Sequence, residues 1–375
     1  MSNIPELRFK EFSGEWEEKQ IKNILKIGSG KDYKHLQNGD IPVYGTGGYM
    51  LSVNDFLYDG ESICIGRKGT IDKPIFLNGK FWTVDTLFYT HSFQNSIPSF
   101  IYLIFQKINW KKYNEASGVP SLSKNTIEKI KIKLPQKPEQ QKIASFLTTV
   151  DTKIEQLTKK VEFQEQYKKG VMQKIFSGEI RFKKDNGSDF PKWEETALKT
   201  ILKERKTYST KGQEYTHISL TKKGVVPKSE RYERDFLVGD DSVKKYKITY
   251  LDDICYNPAN LKFGVICRNK FGSGIFSPIY ITFEVIDAYT PFVEYLVTRQ
   301  DFINKVRKYE EGTVYERQAV KPSDFLKFSP LIPCFDEQVK IASFILTLEK
   351  QIDLGIKQLE KIKEFKKGLL QRMFV

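Results

Sequence analysis

The feature that most constrains this chain is that it repeats itself. Leu134–Phe176 and Ile332–Phe374 align without a gap at a constant offset of 198, with 17 of 43 positions identical. The shared blocks EQxKIASF and KKGxxQ(K/R)xF set this far from chance similarity. A weaker match precedes each head: Trp16-Glu17-Glu18 leads to Ile24-Leu25, and Trp193-Glu194-Glu195 leads to Ile201-Leu202. Upstream, Leu7-Arg8-Phe9-Lys10 resembles Ile180-Arg181-Phe182-Lys183. The first copy runs on through FSGEIRFKK, whereas the second stops at Phe374-Val375. The N-terminal segment therefore reads as the piece missing from the second copy. A chain whose start completes its finish is organised as a circular, pseudo-twofold pair of units.

The repeated tails are helical. Apolar residues fall at Ile143, Leu147, Val150, Ile154, Leu157 and Val161 in the first. In the second they fall at Ile341, Ile345, Leu348, Ile352, Leu359 and Ile362. Steps of four and three make a heptad seam. Pro138 and Pro333 sit where a helix starts but does not continue upstream. A helix of about 40 residues spans about 60 Å. A seam needs a partner, and a twofold relation makes the two helices antiparallel, with a head at each end of a rod. Gly355 stands opposite Leu157 in the repeat and interrupts the second seam, as a local bend or as a tolerated small residue.

The heads carry short apolar runs broken by glycines: Ile41–Tyr44, Ser62–Ile65, Lys80–Thr90, Lys247–Tyr250, Ile254–Tyr256, Gly264–Cys267 and Ile275–Val285. That is strand-and-turn grammar, with helices expected near Pro98–Lys112 and Pro291–Lys308. The expected class is α+β: two heads with mixed, mainly antiparallel sheets and flanking helices, joined by two long antiparallel coiled-coil helices. The divisions are 1–15, completing the second repeat; 16–135, the first head; 136–178, the central helical region; 179–332, the second head with its leading segment; and 333–375, the C-terminal helical region.

Charge narrows the partner. Sixty-one Lys+Arg against 47 Asp+Glu give a net charge of +14, which points to a polyanion such as nucleic acid. Four cysteines in 375 residues exclude a disulfide framework and suit a reducing cytosol. MSNIPELRFKEF shows no signal peptide, and no apolar run approaches the roughly 20 residues that cross a bilayer. A cytoplasmic protein is expected.

Catalytic patterns are missing. His35, His91 and His217 are dispersed, and Cys64, Cys255, Cys267 and Cys334 form no CxxC, so no metal site is expected. Gly66-Arg67-Lys68-Gly69-Thr70 breaks the order of a phosphate loop. Asn257-Pro258-Ala259 lacks the second proline and the aromatic of an amino-methyltransferase motif. No Pro-Asp dipeptide exists to begin a nuclease site. No catalytic residue is assigned, and a stand-alone nuclease or methyltransferase is set below a binding protein.

Two basic heads on a fixed spacer can place two readers on two half-sites of DNA. Lys and Arg supply phosphate contacts, while Arg, Asn and Gln can read base edges. The first head's candidates are Lys31, Lys34, Tyr44, Thr46, Arg67, Lys68, Thr70, Ser121 and Lys124. The second head's are Arg205, Lys206, Tyr208, Lys222, Lys223, Asn257, Lys262, Arg268, Tyr315 and Arg317. The blocks kept at both ends of the tails suggest a repeated docking surface or retained head–tail packing. A protein-binding scaffold or inhibitory subunit, without sequence-specific DNA readout, is the alternative.

Two variable heads, two repeated helical regions, EQxxIASFL after a proline and GxxQxxFSGEIRF closing the central helix resemble the specificity subunit of type I restriction–modification enzymes. YGTGGY and IGRKGT resemble pieces of its target-recognition domains. The resemblance covers essentially the whole chain. It implies two target-recognition domains reading a bipartite double-stranded DNA sequence, with the helices setting the spacer. It further implies two docked modification subunits bringing S-adenosylmethionine for N6-adenine methylation, and restriction subunits using ATP and Mg. No cofactor is expected on this chain. GxxYxERQAVK (Gly312–Lys321) in the second head replaces the shorter GVPSLSK (Gly118–Lys124) of the first, so contacts do not transfer residue by residue.

Overall fold

The computed structural model describes residues 3–210, 215–222, 224–228, 245–309 and 319–375. Lys223, Tyr315 and Arg317 lie outside the described residues. The chain forms two compact units, Met1–Glu162 with Leu354–Val375, and Phe163–Asp353. This division cuts both long helices. Each unit is therefore a head together with the ends of two helices.

In the first unit β1 (Glu17–Gln20) leads through a 3-10 turn to β2 (Lys26–Ser29), β3 (Asn38–Gly45), β4 (Gly48–Val53), β5 (Tyr58–Asp59), β6 (Ser62–Gly66), β7 (Ile75–Leu77), β8 (Lys80–Thr83) and β9 (Leu87–His91). Helices α1 (Pro98–Lys107) and α2 (Lys124–Lys129) follow, then β10 (Lys131–Leu134) and α3 (Lys137–Phe176). Two four-stranded sheets form, in the orders β2-β9-β6-β7 and β4-β3-β8-β5. β1 and β10 pair as an antiparallel ribbon that ends beside the start of α3. Pairing is antiparallel except for β3 with β8.

β6 explains the layering. All five of its residues are buried, which requires cover on both faces. Ile63 and Ile65 join the core that contains Phe100, Ile101 and Phe105 of α1. Cys64, on the opposite face, packs with Phe81 and Leu87 toward the second sheet. Burial pushes the Cys64 thiol up to about 12, so it is a packing residue rather than a nucleophile.

The second unit repeats the plan with β11 (Glu194–Glu195), β12 (Leu202–Glu204), β13 (Tyr208–Thr210), β14 (Thr216–Thr221), β15 (Gly224–Pro227), β16 (Lys245–Thr249), β17 (Ile254–Tyr256), β18 (Ile266–Arg268), β19 (Gly274–Phe276) and β20 (Ile281–Val285). Helices α4 (Thr290–Thr298), α5 (Gln300–Val306) and α6 (Pro322–Lys327), β21 (Leu331–Ile332) and α7 (Phe335–Arg372) complete the chain. The sheets are ordered β12-β20-β17-β18 and β13-β16-β19-β14-β15. β17 corresponds to β6: Ile254 and Tyr256 face α4, and Cys255 faces Phe276 of the other sheet. β14 with β19 is again the parallel pair.

The long helices pack antiparallel inside each unit. In the first, Ile143, Ala144 and Leu147 share a core with Leu369 and Met373, and Asp151 bonds Lys366 at 2.6 Å. In the second, Ile175 packs with Ile341, Ala342 and Ile345, and Lys168 meets Glu349 at 3.2 Å. Ile143, Leu147, Leu157, Val161, Ile341, Ile345 and Ile352 are buried, and Val150, Ile154, Leu348, Leu359 and Ile362 are half-buried. α7 continues unbroken through Gly355.

The head–tail contacts occur twice, residue for residue. Arg8 donates to both oxygens of Glu139 at 2.8 and 2.7 Å; Arg181 donates to both oxygens of Glu337 at 3.1 and 2.6 Å. Gln140 donates to the Pro135 carbonyl and accepts from the Ile97 amide, as Gln338 does with Pro333 and Tyr289. Phe374 stacks on Phe100 at 5.3 Å and Phe176 on Phe292 at 5.6 Å. The Leu7 amide donates to the Arg372 carbonyl at 2.8 Å, where the Ile180 amide donates to Lys174 at 3.1 Å. In the second unit that strip follows its helix in sequence. In the first it comes from the other end of the chain. Among the described residues no helix is long and apolar enough to cross a membrane.

Candidate nucleic-acid interface

In the first head one short segment, Thr83–Leu87, ties together four of the nine candidate residues: Lys31, Tyr44, Arg67 and Lys68. It joins β8 to β9, offers its carbonyls to two other loops and donates an amide to β3. The Lys31 amide donates to Thr83 O at 2.9 Å and the Gly30 amide to Leu87 O at 3.2 Å. The Arg67 and Lys68 amides both donate to Thr86 O, at 2.7 and 3.3 Å. The Val84 amide in turn donates to Tyr44 O at 3.0 Å. Two glycines permit this crowding. A Cβ on Gly30 would lie 1.9 Å from Val84 O, and one on Gly66 would lie 2.0 Å from Thr70 O.

A fourth loop closes the rim. Gly69 donates to Pro120 O at 2.8 Å, Leu122 to Arg67 O at 2.9 Å, and Lys68 bridges Ser121. That loop is held internally by Glu115, whose carboxylate accepts from the Ser123 hydroxyl at 2.7 Å and from the Thr126 hydroxyl. These two hydroxyls, Thr126 first, hold the Glu115 carboxyl below its ordinary range. The tip of the β3–β4 hairpin reaches the same place, with Thr46 Oγ1 3.4 Å from where a Gly69 Cβ would stand. Arg67 and Lys68 are exposed, and Thr46, Thr70, Ser121 and Lys124 are half-buried around them. Lys31 and Lys34 are exposed on the loop after β2. Tyr44 is half-buried, edge-on to Tyr49.

The second head builds the same junction from different residues. β14–β15 is the counterpart of the β3–β4 hairpin, and a 3-10 helix, Pro258–Phe263, follows β17 where Arg67–Thr70 follows β6. Lys222 at the hairpin tip and Lys262 on the 3-10 helix place their ammonium groups 5.7 and 5.2 Å from the ring of Phe263. In both heads a hairpin tip thus meets the loop leaving the central buried strand.

The comparisons with known proteins agree with this duplicated plan. Residues 13–164 match the family described as type I restriction modification DNA specificity domain. The type I restriction enzyme MjaVIII specificity subunit of Methanocaldococcus jannaschii is 24% identical over 351 residues, covering 86% of this chain and 78% of the relative. The crystal structure of the type I restriction–modification system S subunit from M. genitalium superposes with a TM-score of 0.65 at 15% identity, covering 99% of each chain. A structure described as the basis of complex assembly and conformational transition of the type I R-M system gives 0.53 at 11% identity, covering 96% of this chain and 97% of that one. Residues 13–164 thus match a type I DNA specificity domain, and the chain as a whole shares the fold of a type I S subunit.

Within this fold, three basic or polar candidates of the second head are held by contacts inside the head. Arg205 donates to Asp253 at 2.8 Å, reaches Glu284 at 3.3 Å and lies over the Tyr250 ring. The 2% exposed Asp253 also accepts from the Thr249 hydroxyl and the Tyr250 amide. Burial of that carboxyl raises its pKa against the pull of Arg205. Arg205 therefore fastens the start of the head to the β16–β17 turn. Arg268 sits between Glu294 at 3.2 Å and Asp252 at 3.6 Å. Asn257 is buried and caps the 3-10 helix, accepting from the Ala259 amide at 3.1 Å. Lys206 is exposed 3.6 Å from Glu204, and Tyr208 is exposed with the Lys247 ammonium over its ring.

Sequence reading missed Thr83–Leu87, because a hub built from backbone carbonyls has no side-chain signature. It also missed Phe263, although an aromatic beside Lys262 and before a glycine was available as a signal.

Proposed function

We propose that this chain is the DNA-reading, non-catalytic subunit of a type I restriction–modification complex. Each head reads one half of a bipartite double-stranded target, and the two long helices set the spacer between the halves. One observation carries the reading: the same hairpin-and-loop junction is built in both heads, with Arg67 and Lys68 at one and Lys222, Phe263 and Lys262 at the other. Equal scaffolds with unequal side chains are what two different half-sites require.

The helical regions dock two modification subunits, which supply S-adenosylmethionine and methylate adenine at N6. Restriction subunits add ATP- and Mg-dependent cleavage. This chain itself binds no cofactor. Docking is supported by Tyr167 and Phe365, which precede Lys-Lys-Gly at the same repeat position and are both exposed, Tyr167 one turn from the exposed Phe163. Large exposed aromatics of that kind mark contact surfaces.

The test is a methylome. The chain is co-expressed with its modification subunit in a methylation-free host, and single molecules are sequenced for N6-methyladenine. A bipartite motif with a fixed gap, lost when this chain is omitted, is expected. Insertion of two heptads into both helices should lengthen the gap. Absence of any motif, with both proteins soluble and associated, would refute the reading.

A further inference from the structure

We infer that Phe263 is the side chain with which the second head enters the groove of duplex DNA, between phosphates held by Lys222 and Lys262. The inference rests on the DNA-reading role proposed above and assigns a residue and a mode of contact to it.

Phe263 is 54% exposed, and it is not loose. The 3-10 helix that carries it is capped by Asn257 at one end. Leu261 anchors it in the core, and Gly264, at φ +75°, closes the other end with its amide on Leu261 O at 2.8 Å. A rigid turn thus holds the phenyl ring in water, where a partner can reach it. Two ammonium groups stand within 6 Å of the ring, from two different elements. Neither Lys222 nor Lys262 makes a salt bridge with a carboxylate among the described residues. The patch thus sets an exposed apolar ring beside two cations, which complements bases flanked by phosphates.

Position supplies the second argument. In chain order and sheet order, the 3-10 helix replaces the Arg67–Thr70 loop of the first head, and Lys222 replaces the Thr46–Gly48 tip. The first head presents hydrogen-bond donors at this junction. The second presents, beside two lysines, a ring that itself can donate nothing. Phe263 must therefore read by shape, packing on a thymine methyl or against a deformable base step.

The test uses the assembled complex with its modification subunits and the methylome assay. Because Phe263 is exposed, Phe263→Ala should keep the melting temperature of the wild type. It should lower the methylation rate roughly tenfold, the scale of losing one aromatic–base contact. It should also relax the motif at one or two positions of a single half-site, leaving the other half-site and the gap intact. The double variant Lys222→Ala with Lys262→Ala should instead keep the motif, weaken binding and reduce the slope of log affinity against log salt by about 2. A wild-type motif methylated by Phe263→Ala with the same sequence preference and rate would overturn this inference alone. A wild-type complex that yields no bipartite motif would overturn the function, and this inference with it.

Discussion

Arg8→Ala tests the claim that the start of the chain finishes a structure begun at its end. Arg8 donates from Nε and Nη2 to the two Glu139 oxygens at 2.8 and 2.7 Å, and the Glu139 side chain is 2% exposed. Truncation leaves a buried carboxylate without its cation, which costs about 3–5 kcal/mol where no other partner steps in. Glu139 lies in the first turn of α3, where the helix dipole returns about 0.3–1 kcal/mol to an anion. Arg8 is 13% exposed, so water can enter the space it vacates. Both facts favour the lower end, about 3 kcal/mol. For a unit of this size each kcal/mol moves the melting temperature by about 2–4 °C, so a fall of about 6–12 °C is expected by calorimetry.

The cause can be separated from loss of packing. If the stranded charge dominates, adding Glu139→Gln to Arg8→Ala should recover at least about 1 kcal/mol, since a neutral amide is cheaper to bury. The matching change in the second unit, Arg181→Ala, should cost less. Glu337 keeps a hydrogen bond from Trp193 Nε1 at 3.1 Å, whereas Trp16 Nε1 has no hydrogen-bond partner among the described residues. A fall below 2 °C for Arg8→Ala, or a double variant no more stable than the single one, would refute the reasoning.

Three further outcomes follow from the heads. Gly30→Ala puts a methyl 1.9 Å from the Val84 carbonyl; overpacking against backbone should cost about 3 kcal/mol, read as a lower melting temperature with the second unit unaffected. Asp253→Ala leaves the partly buried Arg205 guanidinium with Glu284 as its one carboxylate partner among the described residues, and about 2–3 kcal/mol should be lost in a chemical denaturation curve. Glu115 is held below its unfolded value of 4.5 by the Thr126 and Ser123 hydroxyls, so its contribution is present above pH 4.5 and vanishes as pH falls through the lower folded value. Hydrogen exchange at the Ser123 and Thr126 amides should show that acid step in the wild type and lack it in Glu115→Gln.

What the sequence disclosed and what it concealed divide along a physical line. The tails were legible because a seam must recur every three or four residues, and Ile143, Leu147, Ile341 and Ile345 are buried where that period puts them. The closing of the chain on itself was legible because Arg8 and Arg181 stand in equivalent strips, and both reach the glutamate in the first turn of a long helix. The heads were legible only as alternating runs and glycines. Charge alone does not disclose its partner: Arg205 and Arg268 are held by carboxylates, while the Lys222 and Lys262 ammonium groups lie over an exposed ring. Nor could a list of cations show Thr83–Leu87, which organises the first head through carbonyl oxygens that any residue could supply. The same reasoning explains why two heads of unlike sequence share one scaffold. Backbone hydrogen bonds and the doubly buried strands β6 and β17 fix the junction, so the side chains at its rim can change without loss of the fold. The DNA-reading role proposed for this chain calls for that separation of frame from contact.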